Sequence, residues 1–113
     1  MTPRLASSVL VGALIRRAES EGGFGAIVAK GDVTAGAVAV VLRERGRPAA
    51  LLERVLRPDG RYEWRQTSSQ DTDNEQDLSA LLDRKRRFDP DLWIVELDIA
   101  SAERFAAEMN AAG

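Results

Sequence analysis

The 113-residue sequence contains neither cysteine nor histidine. Lack of cysteine excludes disulfides, thiolate nucleophiles and sulfur-ligated metals. Histidine is the usual proton shuttle near neutral pH and the commonest metal ligand. Its absence makes a Ser-His-Asp triad impossible within the chain and disfavours structural zinc. Any catalysis would have to rest on Asp, Glu, Lys, Arg, Tyr, Ser or Thr, with magnesium as the accessible metal. A long hydrophobic run is also missing. The apolar stretch Leu5–Ile15 is eleven residues long, too short to span a bilayer. Arg16-Arg17-Ala18-Glu19 follows it where a signal peptide would need a small-residue cleavage site. A mature cytoplasmic chain without membrane attachment is therefore expected. The net charge of -2 gives no global attraction to nucleic acid or to a membrane.

What is present suits one soluble domain over residues 1–113. The composition, 44% hydrophobic and 30% charged, is ordinary for a globular protein. A chain of this length buries roughly two-thirds of its unfolded surface and needs no staples. Only Lys30 and Lys85 among the sixteen basic residues are lysine; a compositional bias of the source genome accounts for that more simply than a phosphate-binding role.

Residues 5–20 carry apolar side chains at helical spacing around much of the circumference, and Gly22-Gly23 ends that helix. Ala26–Lys30 and Ala37–Leu42 are β-rich runs joined by Gly31–Gly36, which predicts a hairpin. Ala49–Leu56 suits a strand after the Arg45–Pro48 turn, although its spacing also fits a helical turn. Pro58-Asp59-Gly60 marks a turn. From Arg61 to Gln66 residues alternate, with Tyr62 and Trp64 on one side and Arg61, Glu63 and Arg65 on the other. Thr67–Asn74 reads as a polar surface loop. A second helix from about Asn74 to Arg87 is acidic at its start and basic at its end, which complements its dipole. Leu78, Leu81, Leu82 and Phe88 form its expected inner stripe, and Pro90 closes it. Leu92–Leu97 is apolar on both faces and is placed centrally. Ser101 caps a last helix that buries Phe105, Ala106 and Met109. The order α-ββββ-α-β-α predicts an α+β fold: a mainly antiparallel sheet of about five strands, with three helices covering one face.

Several constellations bear on function. Gly31–Gly36 has the glycine spacing of a phosphate-binding loop, but Ala37-Val38 stands where Lys and Ser/Thr are required. Asp71, Asp73, Glu75 and Asp77 alternate as in a calcium loop, yet Gln76 and Leu82 occupy the obligatory glycine and glutamate positions. Asp89 and Asp91 flank Pro90 and could hold magnesium or divide acid and base roles. Arg84, Arg86 and Arg87 lie just upstream, so a salt-bridge corner is the preferred reading. Between Arg43 and Arg65, seven arginines outnumber Glu44, Glu53, Asp59 and Glu63, with Tyr62 and Trp64 among them. Aromatics beside arginine can hold single-stranded nucleic acid. Their alternation favours rings in the core and charges on the other face.

Ala13-Leu14-Ile15-Arg16-Arg17, Lys30-Gly31-Asp32 with Ala35-Gly36, and above all Arg87-Phe88-Asp89-Pro90-Asp91-Leu92-Trp93-Ile94-Val95-Glu96 give the chain a likeness to a known family. It resembles, over nearly its whole length, domain of unknown function 1491, a family of short alphaproteobacterial proteins. The resemblance implies a bacterial cytosolic protein of this single domain. It brings no activity, cofactor or catalytic residue, but directs attention to Asp32 and to the Asp89-Pro90-Asp91 corner.

The reading that follows is a non-catalytic protein-binding or adaptor domain with no cofactor and no metal, its partner a protein or a second copy of itself. A free sheet edge or the Tyr62/Trp64 strand would make the contact. Nucleic-acid binding through the central arginines is the alternative, and a magnesium-assisted hydrolase at Asp89 and Asp91 the third reading. The candidate contact residues are Asp32, Arg61, Tyr62, Trp64, Arg65, Arg87, Asp89 and Asp91.

Overall fold

A computed structural model of the chain describes residues 5–67 and 74–112. The expected loop residues 68–73, including Asp71 and Asp73, lie outside them. In chain order the elements are α1 (Ser7–Ser20), β1 (Phe24–Ala29), β2 (Val38–Glu44), β3 (Arg47–Leu56), β4 (Tyr62–Gln66), α2 (Glu75–Phe88), β5 (Trp93–Asp98) and α3 (Ala102–Ala112). The predicted order and class hold. The stretch open to two readings, Ala49–Leu56, is strand throughout.

The five strands form one sheet in the order β1-β5-β2-β3-β4. Only β2 and β5 run parallel; the other three pairings are antiparallel. β2, β3 and β4 follow one another as a meander. The turn between β2 and β3 has two residues, Arg45 at φ 53° and Gly46 at φ 80°. Both angles positive is the backbone whose twist matches flanking strands in a hairpin, and it favours glycine at the second position.

The hairpin expected between the first two strands does not form. β5 inserts between them, antiparallel to β1 and parallel to β2. The physical reason lies in β5 itself. Trp93, Ile94, Val95 and Leu97 are buried, so this strand needs neighbours on both edges and cover on both faces. The glycines at 31 and 36 turn the chain round, but they do not make the two flanking strands pair.

The same demand corrects the expectation that all helices share one face. On the first face, Val38, Val40, Leu42, Ala50, Leu52, Trp93, Val95 and Leu97 meet Val11, Leu14 and Ala18 of α1 and Phe105 and Met109 of α3. On the second, Ala39, Val41, Leu51 and Ile94 meet Leu78 of α2, with Leu81 and Leu82 packed against them. The sheet is thus sandwiched between two helices and one. Phe88 was expected in the inner stripe of α2; it is instead 95% exposed, because the helix ends there and the chain turns back toward β5.

Side chains close the helix ends. Asn74 accepts the Asp77 N–H at 2.8 Å and caps α2. Ser101 accepts the Arg104 N–H at 3.2 Å, and Glu44 accepts the Ala102 N–H at 2.6 Å, so β2 helps cap α3. Arg17 of α1 pairs with Glu108 of α3 at 3.1 Å and its guanidinium lies 5.4 Å from the Phe105 ring centroid, which joins the two helices of the first face.

Leu78 is the one residue of α2 that is fully buried among those described. Leu78→Ala should therefore lower stability by about 2–5 kcal/mol and detach α2 from the sheet. Urea unfolding gives the first, and selective loss of hydrogen-exchange protection in α2 gives the second.

Candidate functional site

The residues singled out in the sequence fall into two separate places. Asp32, Asp89 and Asp91 come together, with Arg87 close by in sequence at the end of α2. Arg61, Tyr62, Trp64 and Arg65 lie on or beside β4, at one edge of the sheet.

At the first place the loop between β1 and β2 crosses the entry of β5. The Asp32 N–H donates to the Asp91 carbonyl at 3.0 Å, and the Trp93 N–H donates to the Ala37 carbonyl at 2.8 Å. The Trp93 indole N–H donates to the Asp32 carbonyl at 2.6 Å. Two glycines permit this crossing. A Cβ on Gly31 would sit 2.8 Å from the Asp91 carbonyl carbon and closer still to its oxygen; one on Gly36 would sit 2.9 Å from the backbone N and O of Asp32. The start of α1 closes the loop from the other side. Ser7 and Ser8 donate backbone N–H groups to the carbonyls of Thr34 and Val33, and Ser7 Oγ donates to the Gly36 carbonyl at 2.5 Å.

The carboxylates here act within their own turns. Asp32 accepts the N–H groups of Thr34 and Ala35 at 3.2 and 2.8 Å, and Asp89 accepts the Asp91 N–H at 3.1 Å, as short acidic side chains do in turns. The expected salt-bridge corner is absent: no ion pair joins Asp89 or Asp91 to Arg84, Arg86 or Arg87. Arg86 instead donates to three carbonyls, those of Lys30, Pro90 and Leu92, at 3.1, 2.8 and 2.6 Å. Convergent carbonyls at the end of β1 and the entry of β5 compete better for this half-buried guanidinium than the half-buried Asp89 and exposed Asp91 carboxylates do. Arg87 is exposed. Among the described residues no three Asp or Glu side chains gather as a metal set, and no buried side-chain polar atom lacks a partner. The corner is a fastening.

At the second place the predicted alternation holds. Tyr62 and Trp64 point to the first face, and Glu63 and Arg65 to the second. Trp64 packs on the core, and the Arg54 guanidinium lies 3.7 Å from the Tyr62 ring centroid. Both rings line a cleft between α1 and the β3–β4 strands, of about 280 Å³, along with Leu10 and Met109. Two of the arginines are engaged with nearby acids: Arg65 with Glu63 at 2.8 Å, and Arg57 with Asp59 at 3.4 Å. The outer edge of β4 is closed as well. The Trp64 N–H donates to Asn110 Oδ1 at 2.7 Å, and the Asn110 amide donates back to the Trp64 carbonyl at 3.1 Å. One side chain of α3 thus stands where a further strand would bond.

The opposite edge is bare. β1 bonds to β5 on one side, and on the other no hydrogen bond reaches Phe24–Ala29 among the described residues. Phe24, Ile27 and Val28 are 64%, 48% and 53% exposed. The strand carries no charge.

With this geometry in view, the chain can be set beside known proteins. Residues 5–107 match the family described as Protein of unknown function (DUF1491). The chain belongs to the DUF1491 family. The crystal structure of a DUF1491 family protein from Caulobacter crescentus CB15 is 39% identical, with a TM-score of 0.79, over 90% of this chain and 94% of that one. The solution structure of protein Atu0922 from A. tumefaciens is 35% identical, with a TM-score of 0.73, over 92% and 93%. No curated protein matches. Of the segments that carry the family likeness, Lys30–Asp32, Ala35-Gly36 and Arg87–Glu96 include the residues of the β5 entry, whose bonds in this DUF1491 protein hold the fold and leave the bare edge as the candidate site.

Sequence reading gave Arg86 carboxylate partners in place of carbonyls, and missed Asn110 and the contacts of Arg43. Arg43 donates to both oxygens of Glu75 and to Glu96 at 3.1 Å, tying α2 to the centre of the second face. The hydrogen bonds that Arg43 donates to Glu75 chiefly raise its already high pKa against the opposing effect of burial, and the same bonds lower that of Glu75, again against burial. Nothing in the spacing of 43, 75 and 96 announces that contact.

Two outcomes follow. Gly31→Ala should cost about 1–3 kcal/mol through overlap with Asp91, measured by urea unfolding. Glu75→Gln should cost under about 1 kcal/mol at neutral pH, since Glu75 is largely solvated. A depressed folded-state pKa contributes stability above the ordinary 4.5 that is lost as pH falls through the folded value. The variant's acid unfolding limb below that pH should therefore be shallower than that of the parent.

Proposed function

We propose that this protein is a non-catalytic protein-binding module of the bacterial cytoplasm, and that it takes its partner along the outer edge of β1. The contrast between the two edges of the sheet carries this reading. One edge is charged and closed by Asn110; the other is neutral, apolar and open. An unpaired strand edge offers a row of N–H and C=O groups to any extended segment, and proteins that do not use such an edge usually block it. Strand addition then draws affinity from main-chain bonds and selectivity from alternate side chains. Phe24 and Ile27 supply those alternate side chains on the two faces.

Several features weigh toward binding rather than catalysis. At the β5 entry the side chains of Asp32, Asp89, Arg86 and Trp93 are engaged in bonds to the backbone of the fold. Arg57 and Arg65 are paired with acids, the Arg54 guanidinium lies over the Tyr62 ring, and the rings of Tyr62 and Trp64 are turned to the interior side, which favours a protein over a nucleic acid. No described helix is long and apolar enough to cross a membrane.

The test is affinity capture of the tagged protein from its native cells after nuclease treatment, beside a Val28→Lys variant whose circular dichroism matches the parent. Partners held by the parent and released by the variant would support the reading. Partners held equally by both would remove β1 from it, and loss of every partner with nuclease would put nucleic acid in its place.

A further inference from the structure

We propose that the partner on this edge is a second copy of the chain, with β1 pairing antiparallel to β1 across a two-fold axis to make one continuous ten-stranded sheet. This rests on the protein-binding reading and names the partner. Three observations select a second copy over a foreign strand.

The first is self-complementarity. A two-fold axis sets each surface against itself, so any charge near the axis meets its own kind. From Gly22 to Ala29 the sequence has no charged residue. Gly25 and Ala26 lie in the middle of that stretch and leave room for close approach of two backbones. The second is the charge at the ends. Glu21 precedes the neutral stretch and Lys30 follows it; antiparallel pairing brings the acidic end of each copy toward the basic end of the other, whereas parallel pairing would set like against like. The third is the distribution of apolar surface. Phe24 and Ile27 register opposite Asp98 and Val95 and so fall on opposite faces of the sheet. Both faces of a joined sheet would gain an apolar contact: α1 packs on the first face of β1, yet Phe24, Ile27 and Val28 remain about half exposed or more.

The regular part of the edge is short. The β1–β5 register slips between Ile27 and Ala29, which leaves Phe24–Ile27 as the straight segment. Such a contact is smaller than the roughly 800 Å² per partner of a standard interface. The dimer is accordingly weak, with dissociation on the order of micromolar, and it depends on concentration.

Sedimentation equilibrium of the purified full chain over a wide range of concentrations tests this. The parent should pass from one chain to two as concentration rises. Ile27→Lys and Ile27→Glu should each stay at one chain, since the two like charges then lie on one face as diagonal neighbours across the axis, within reach of long side chains. An equimolar mixture of the two variants should regain the two-chain mass, which also proves that both are folded. A parent that remains one chain at several hundred micromolar would overturn the proposal, and so would an Ile27→Lys variant that associates as the parent does. If the parent is a single chain while capture from cells is still lost in Val28→Lys, self-pairing fails and protein binding stands. If capture is unaffected as well, self-pairing fails and β1 is removed from the protein-binding reading.

Discussion

The insertion of β5 between β1 and β2 governs the whole arrangement. It places the most apolar strand where both of its edges are bonded and both of its faces are covered. It also obliges the chain leaving β1 to cross the entry of β5 before it can become β2. That crossing is possible only because Gly31 and Gly36 present no side chain to the Asp91 carbonyl, and it is held by the Asp32 N–H and the Trp93 indole. The start of α1 and the end of α2 attach to the same spot through Ser7 and Arg86. Four elements therefore converge on one backbone carbonyl and its neighbours. Carboxylates collected there by a structural demand resemble a reactive site in sequence, and those of Asp32 and Asp89 are already bonded within their own turns.

Much of this was legible because it depends on local properties. Helix ends were marked by Gly22, Asn74, Pro90 and Ser101, and the alternation at Tyr62–Arg65 fixed which side chains face inward. The pairing of β1 was not legible. A turn rich in glycine reports only that the chain reverses; which strand lies beside which is decided by where burial is greatest, and that is a property of the whole sheet. The two-sided apolar character of Leu92–Leu97 already implied cover on both faces. Read together with the buried Ala39 and Val41 of β2, it leaves α2 no place but the second face.

The candidate contact was legible only in kind. A free edge can be anticipated for any open sheet, yet which strand supplies it follows from topology. Tyr62 and Trp64 drew attention because aromatics near arginine suggest contact, and the fold turned them inward and used Asn110, some forty-six residues away in sequence, to close their edge. Ile27 and Val28 look in sequence like ordinary interior residues of a hairpin, and Phe24 falls in the glycine-rich stretch before it. They become surface because β5 takes the place where β2 was expected, and nothing then lies beyond them. Arg86 was hidden for a related reason: its acceptors are carbonyls, which sequence patterns of charge do not show.

The asymmetry of the two edges also sets a limit on assembly. An open apolar edge usually invites unlimited growth, because each added chain presents a new edge of the same kind. In this fold the added chain would present a different one. Once two copies join through β1, the free ends of the sheet are the two β4 strands, each charged at Glu63 and Arg65 and each closed by Asn110 on the backbone of Trp64. Pairing between β1 and β4 would have to displace that amide and bury those charges against a neutral partner. Pairing between two β1 strands displaces nothing. A closed pair is therefore the assembly this sheet permits at lowest cost, and the capped edge is as much a part of that outcome as the bare one.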